Sequence, residues 1–258
     1  VFLFLYAPII ILIVFSFNNS KNRAVWHGFT TKWYSDLFHN DLILDSLKLT
    51  LLVAFLAAII ATVIGTAAAV GMYGMNAKLR KTLMAVNNIP MVNPEIVTGI
   101  SMMLMFVFLF RATGLLKLGF GTLLLAHITF CIPYVVLQVM PKLRQMNKHM
   151  YEAALDLGCH PLSAFFKVVL PEIMPGVVTG ALMAFTMSLD DFVISLFNSG
   201  STAQTLSVTI YSMTKKPVTP EINALSTLMF GTVLLLLLLV NIRQIRDLGG
   251  KNKKKGDR

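Results

Sequence analysis

Long apolar runs separated by short polar stretches dominate this chain. The runs hold few or no charged residues, and the first lacks the basic start that a cleaved signal would have. About 20 consecutive apolar residues cross the hydrocarbon core of a bilayer as one α-helix. The pattern therefore predicts six transmembrane helices. Their expected ranges are 1–17, 48–72, 83–110, 119–140, 174–197 and 222–242.

The composition agrees with this pattern. Hydrophobic residues make up 56% of the chain, charged residues 13%, and the mean hydropathy is +0.72. So few charges cannot cover a soluble domain of this size, and a soluble basic surface for nucleic acid is missing as well. We expect an all-α integral membrane protein, with a membrane domain over 1–242 and a basic tail over 243–258.

Basic residues divide unequally between the two sides of the expected membrane domain. Seven belong to one set of loops: Lys21, Arg23, Lys32, Arg111, Lys117, Lys215 and Lys216. Fourteen belong to the other set and the tail: Lys78, Arg80, Lys81, Lys142, Arg144, Lys148, Lys167, Arg243, Arg246, Lys251, Lys253, Lys254, Lys255 and Arg258. The excess predicts that the second side, with both termini, faces the cytoplasm and that the tail can touch anionic membrane lipid.

A polar insert over 152–171, EAALDLGCHPLSAFFKVVLP, interrupts the apolar pattern. Its first part, Glu152 to Gly158, is rich in small residues, so another protein could approach the backbone of a short helix there closely. Pro161 should end that helix, and Ser163 could cap a second one running to Leu170. We interpret the insert as a docking helix-turn-helix, the alternative being an ordinary amphipathic connector. The docking residues would be Glu152, Ala153, Ala154, Gly158, Leu170 and Pro171.

Three carboxylates fall inside expected spans. A charged side chain at the bilayer centre costs about 2.5–3.5 kcal/mol on insertion scales, so Glu95, Asp190 and Asp191 need compensation. The spans contain no Lys or Arg that could supply it, which leaves protonation, a water-filled cavity or a cationic substrate. Ser188 shares a helix face with Asp191 and is a further candidate.

The position of these acids favours a pathway for a solute. Glu95 would lie roughly 18 Å above a helix start at residue 83, and Asp190 roughly 24 Å above one at residue 174. Pro90 and Pro94 flank Asn93 and should interrupt the third helix just before Glu95, which frees backbone carbonyls as in transporter sites.

Other motifs limit the chemistry that this chain could perform. It has no zinc-ligand spacing and no phosphate-binding loop, so ATP energy would have to come from a partner. His127 is expected to be a packed or cavity-facing residue, with a ligand role as the lesser alternative. The aromatic segment from Trp26 to Tyr34 predicts a short external helix, in which Trp33 would anchor the chain in the membrane surface or grip a partner or substrate.

The chain as a whole resembles the PotC-type permeases of spermidine/putrescine ABC importers. The insert matches their cytoplasmic EAA loop, with Val168 where Ile is commoner, and Glu95 stands where the family can carry Asp. The other matching segments, in order, are IIILIVFSFNNS, WHGFTTKWY, NPEIVTGIS, AHITFCIPYVV, FTMSLDDFVIS and PEINALST. The resemblance implies a six-helix type I ABC importer permease fold with cytoplasmic coupling helices, in a bacterial inner membrane.

The resemblance also implies a function and partners. The chain would pass polyamines from periplasm to cytoplasm by alternating access and would not itself be an enzyme. It would pair with a PotB-like permease, two PotA-like ATPases that bind ATP and Mg, and a periplasmic PotD-like binding protein. Importers of iron, thiamine or an amino acid, and an integral membrane enzyme, remain alternatives. The implied pathway residues are Trp33, Glu95, Ser188, Asp190 and Asp191.

Overall fold

The computed structural model describes residues 2–20, 25–215, 223–232 and 234–235. Within these residues the protein is helical, and a single antiparallel bridge joins Asn18 to Phe29. Residues 223–232 are helical as well. The named helices are α1 (Phe2–Phe15), α2 (Lys32–Phe38), α3 (Asp41–Gly74), α4 (Ala77–Val92), α5 (Glu95–Thr113), α6 (Phe120–Gln145), α7 (Lys148–Asp156), α8 (Pro161–Ala164), a π-helical turn (Phe165–Val169), α9 (Leu170–Asp190), α10 (Val193–Asn198) and α11 (Leu206–Thr214).

Four helical stretches among the described residues are long and apolar enough to cross a membrane. They are Asp41–Gly74, Glu95–Thr113, Phe120–Gln145 and Pro161–Asp190. They correspond to the second to fifth predicted spans, and α1 is a shorter apolar helix within the first. Of the sixth predicted span, residues 223–232 and 234–235 are described and are helical, and the rest of it lies outside the described residues, as does the whole basic tail.

The third predicted span, 83–110, consists of two helices, with the predicted interruption between them. Helix α4 ends at Val92, Asn93 is extended, and α5 starts directly after Pro94. Pro94 disfavours helical geometry in Asn93 and lacks an N–H, whereas Pro90 is accommodated inside α4. The interruption before Glu95 is thus confirmed, and Glu95 is the first residue of α5.

The fifth predicted span, 174–197, is wrong at both ends. The helical stretch starts at Pro161, because the π-helical turn joins α8 to α9 without a gap. In that turn the Leu170 N–H donates to the Phe165 carbonyl, five residues earlier, and the wider register accommodates the following Pro171. At the other end α9 stops at Asp190, and Asp191 has extended geometry before α10 begins.

The described chain divides into two compact units. Unit 2 (Asp45–Thr209) has α6 at its centre, and glycines allow its neighbours to approach closely. A Cβ on Gly176 of α9 would lie 2.8 Å from the Gln138 carbonyl oxygen of α6. A Cβ on Gly65 of α3 would lie 2.8 Å from the Val135 Cβ. Lipid tails are as apolar as the helix surfaces, so the hydrophobic effect does not hold helices together within a membrane. Small residues at such crossings let the helices pack closely, and this packing stabilises their association.

Unit 1 (Val1–Leu44 with Ile210–Arg258) contains the expected external helix as α2. Thr31 precedes α2 without a capping side-chain bond, and Thr30 Oγ1 instead accepts from the Lys32 N–H at 3.2 Å. The ring of Phe17 stacks on Phe29 with centroids 5.2 Å apart. This segment therefore brings aromatic rings into contact with one another.

Candidate functional site

The Glu95 carboxylate occupies an open position at a break between two helices. Glu95 is exposed and forms no hydrogen bond or ion pair with another described residue. It lies within electrostatic range of Tyr134 on α6. On the neighbouring α4, the Asn87 amide donates to the Pro133 carbonyl at 3.5 Å. The free N–H groups of the first turn of α5 favour a negative charge at this place.

The two consecutive aspartates of the sequence have different environments. Asp190, the last residue of α9, is exposed. Asp191 is 8% exposed, and its carboxylate accepts from the Ile194 N–H at 3.2 Å and the Ser195 N–H at 2.7 Å. These are two first-turn donors of α10, so Asp191 caps that helix.

A buried histidine completes the surroundings of Asp191. His127 of α6 places Nδ1 2.7 Å from Ser188 Oγ and Nε2 3.0 Å from Ser195 Oγ. Its Nε2 also lies 3.5 Å from Asp191 Oδ2. All four residues are buried, so their polar groups satisfy each other where water has no access. The sequence pattern indicated a packed or cavity-facing His127 but gave no sign of its partners.

Helix α6 provides a measure of the spacing between the two groups of acids. His127 Nε2 lies 3.5 Å from Asp191 Oδ2, and Tyr134, seven residues later on α6, lies within electrostatic range of Glu95. At 1.5 Å per residue the two levels are separated by roughly 10 Å along α6. Helix α10 packs on α5, where a Cβ on Gly99 would lie 3.4 Å from the Val193 carbonyl oxygen. The helix breaks at Glu95 and Asp191 therefore belong to one packed region of unit 2.

The insert over 152–171 forms short helices at one end of unit 2. Helix α7 ends at Asp156, and Gly158 adopts a left-handed conformation with φ +83°. The expected boundaries are therefore wrong: the first helix ends before His160, which instead precedes α8 with Pro161 in its first turn. The Ser163 side chain caps neither helix, because it lies inside α8.

Exposure separates the predicted docking residues. Glu152, Ala153, Gly158 and Pro171 are exposed, Leu170 is half-buried, and Ala154 is buried. The structure adds three large apolar side chains that the sequence reasoning missed: Leu157 is 86% exposed, Leu162 64% and Phe166 60%. From the sequence alone, hydrophobic residues within a polar insert are expected to be buried. The structure shows that these three lie on the surface of the short helices.

A cleft of about 530 Å³ lies beside this insert. It is lined by the end of α3 with Tyr73, by the start of α4 with Arg80, by the end of α6, and by Tyr151 of α7. The loop between α3 and α4 and the loop after α6 therefore share one end of unit 2. At the opposite end Thr122 of α6 donates to the Asn198 carbonyl at 3.0 Å.

Trp33 belongs to unit 1 and is only 6% exposed. Its indole N–H donates to the Asn18 carbonyl at 2.7 Å, and Lys32 Nζ lies 6.0 Å from the ring centroid. The ring and its N–H therefore already have partners from the chain itself.

Comparisons with known proteins give consistent results. Residues 61–245 match the family model of the binding-protein-dependent transport system inner membrane component. The putrescine transport system permease protein PotI of Escherichia coli (strain K12) is 43% identical over 234 residues, which are 90% of this chain and 83% of that protein. The spermidine/putrescine transport system permease protein PotC of the same strain is 40% identical over 257 residues, 100% and 93% of the two chains. A crystal structure of a bacterial ABC transporter involved in the import of the acidic polysaccharide alginate superposes with a TM-score of 0.74 at 17% identity, covering 95% and 91% of the two chains.

Proposed function

Because the chain belongs to the family of inner membrane components of binding-protein-dependent transport systems, we propose that it is the permease subunit through which an ATP-driven importer moves polyamines into the cytoplasm. The observation that carries this proposal is the identity of 40% over 257 residues with a permease named for spermidine and putrescine. The relation to the alginate importer supports the fold alone, since the identity there is 17%.

The exposed carboxylates suit cations with several ammonium groups. Glu95 and Asp190 are each exposed beside a helix break and form no ion pair with another described residue. A polyamine would bring the positive charge that these acids lack, and staggered acids could hold separate ammonium groups. A few exposed carboxylates bind weakly, which suits a pathway that has to release its cargo. Ser188 and Asp191 would support this pathway from the buried side.

The insert over 152–171 would dock the ATPase. Its surface combines the exposed acid Glu152 with the apolar side chains of Leu157, Leu162 and Phe166. An exposed apolar group with a polar rim is typical of protein interaction sites. We propose that a PotA-like ATPase binds here, carrying ATP and Mg, with a second copy on a PotB-like permease. A PotD-like binding protein would deliver the substrate from the periplasm.

Uptake by the reconstituted complex tests the function. Proteoliposomes that contain the four kinds of subunit should accumulate labelled putrescine or spermidine only when ATP is present on the ATPase side. Replacing Glu95 by Gln removes one pathway charge, and we expect the KM to rise about tenfold, equivalent to about 1.4 kcal/mol. Asp45→Asn is the matched control, because Asp45 is exposed and pairs with Lys48 on the surface.

Two results would contradict the proposal. A wild-type complex that assembles and hydrolyses ATP but transports neither polyamine would remove the substrate assignment. Equal KM values for Glu95→Gln and Asp45→Asn would remove Glu95 from the pathway while leaving polyamine transport intact.

A further inference from the structure

One side chain bridges the interruption between α9 and α10. The His127 ring contacts Ser188, two residues before the end of α9, through Nδ1, and Ser195, in the first turn of α10, through Nε2. A ring with two nitrogens on opposite sides can hold two helices at once. The distances of 2.7 Å and 3.0 Å are those of well-formed hydrogen bonds.

The same interruption gives the two aspartates different tasks. Both oxygens of Asp191 accept backbone N–H groups of α10, and Oδ2 also faces His127. Both carboxylate oxygens of Asp191 therefore already have partners inside the protein. Asp190 precedes the turn, remains exposed, and has no partner among the described residues that would hold its carboxylate.

Helix α6, which carries His127, packs closely against α9 over several turns. His127 and Cys131 lie one turn apart on α6, and the Cys131 thiol donates to the Ala184 carbonyl of α9 at 3.3 Å. Farther along, a Cβ on Gly180 of α9 would lie 3.3 Å from the Val135 Cα of α6, so the two helices are in close contact over several turns. A change at His127 therefore acts on the helix break and leaves most of this interface unchanged.

We propose that His127 is a positioning residue of the transport pathway: it fixes the break between α9 and α10, buries Asp191 as a structural cap, and leaves Asp190 as the carboxylate that meets the cationic substrate. This assignment rests on the proposed function for the identity of the substrate. The geometry of the break between α9 and α10 does not depend on the proposed function, and it is tested separately.

Thiol accessibility tests the geometry without any substrate. After Cys131 and Cys159 are replaced by Ala, a cysteine at position 190 should react rapidly with a charged methanethiosulfonate reagent in the purified complex, and one at position 191 should be at least tenfold slower. Adding His127→Ala should change the rate at position 190 at least threefold, whereas Thr129→Ala, on the exposed face of α6, should leave it unchanged. Equal rates at positions 190 and 191, or no response to His127→Ala, would overturn the proposal.

Uptake kinetics test the role of the break in transport. We expect His127→Ala to raise the KM for polyamine uptake about fivefold with little change in the maximal rate, and His127→Gln, which keeps an amide donor and acceptor, to restore part of it. In an Asp190→Asn complex the same His127→Ala change should alter the KM less than twofold, because residues that act through one another are not additive. If His127→Ala and Asp190→Asn raise the KM independently, or Asp191→Asn raises it as much as Asp190→Asn does, the proposal is wrong.

The two tests separate this proposal from the proposed function. A complex that transports no polyamine but shows the expected thiol rates would refute the substrate and keep the role of His127 in the break. A complex that transports polyamines with additive effects of the two variants would keep the function and refute the positioning role.

Discussion

Burial separates side chains of the same chemical type in this protein. Trp26 is 49% exposed, whereas Trp33 is 6% exposed with its N–H bound to a carbonyl. Asp190 is exposed and Asp191 is buried. Of these four the sequence marks Trp33, Asp190 and Asp191 as candidates, and it treats them alike because a sequence reveals residue type and not environment. Their environments are set by contacts to other segments, which have no local pattern.

Trp33→Phe tests the pathway role that the family resemblance implies for this residue. Phenylalanine keeps most of the packed ring but loses the hydrogen bond to Asn18, which should lower the stability of the complex by about 1 kcal/mol. Since the ring already has partners within the chain, we expect the KM for polyamine uptake to stay within about twofold of the wild-type value. If the ring instead made a cation–π contact with the substrate, losing that contact would cost about 0.5–1 kcal/mol or more and would raise the KM. Trp26→Phe is the control at an exposed position. A large rise in KM for Trp33→Phe alone would restore Trp33 to the pathway.

Helix breaks are the feature of the elements that matters most here. Apolar runs predict the spans well, and the break before Glu95 is signalled by Pro94. The break at Asp191 has no proline or glycine beside it. It is held by His127, which is 61 residues from Ser188 and 68 from Ser195 in the sequence. A local pattern cannot reveal an interruption that distant hydrogen bonds stabilise, and for this reason the sequence predicts a fifth span that continues past Asp190 to residue 197.

Close packing between helices gives a prediction with a matched control on α3. Gly65→Ala places a Cβ 2.8 Å from the Val135 Cβ, so α3 and α6 must separate, and we expect a loss of about 1–3 kcal/mol in stability. Gly71→Ala meets nothing within 4 Å and should be neutral or stabilise the helix by about 0.5–1 kcal/mol. Thermal denaturation of the detergent-purified complex, followed by size-exclusion chromatography, compares the two. Equal melting temperatures would show that the contact at Gly65 does not limit the packing.

At the scale of the whole molecule, unit 2 has two chemically different ends. The end with the cleft and the insert over 152–171 carries seven basic residues among those described: Lys78, Arg80, Lys81, Lys142, Arg144, Lys148 and Lys167. The opposite end carries three: Lys48, Arg111 and Lys117. The sequence anticipated this asymmetry because charge counts need no tertiary contact. The fold adds that the loops on each side gather at one end.

The asymmetry predicts the orientation in the membrane. Basic loops remain in the cytoplasm, so a cysteine at Gln145, at the end of α6, should be shielded from an impermeant thiol reagent in intact cells. A cysteine at Thr113, at the end of α5, should be labelled from outside. Both positions are exposed, which makes them a matched pair once Cys131 and Cys159 have been replaced. Permeabilised cells should show labelling at both, which controls for reactivity. Labelling of Gln145→Cys but not Thr113→Cys in intact cells would place the insert outside, where no ATPase could reach it, and would contradict the docking proposal together with the orientation.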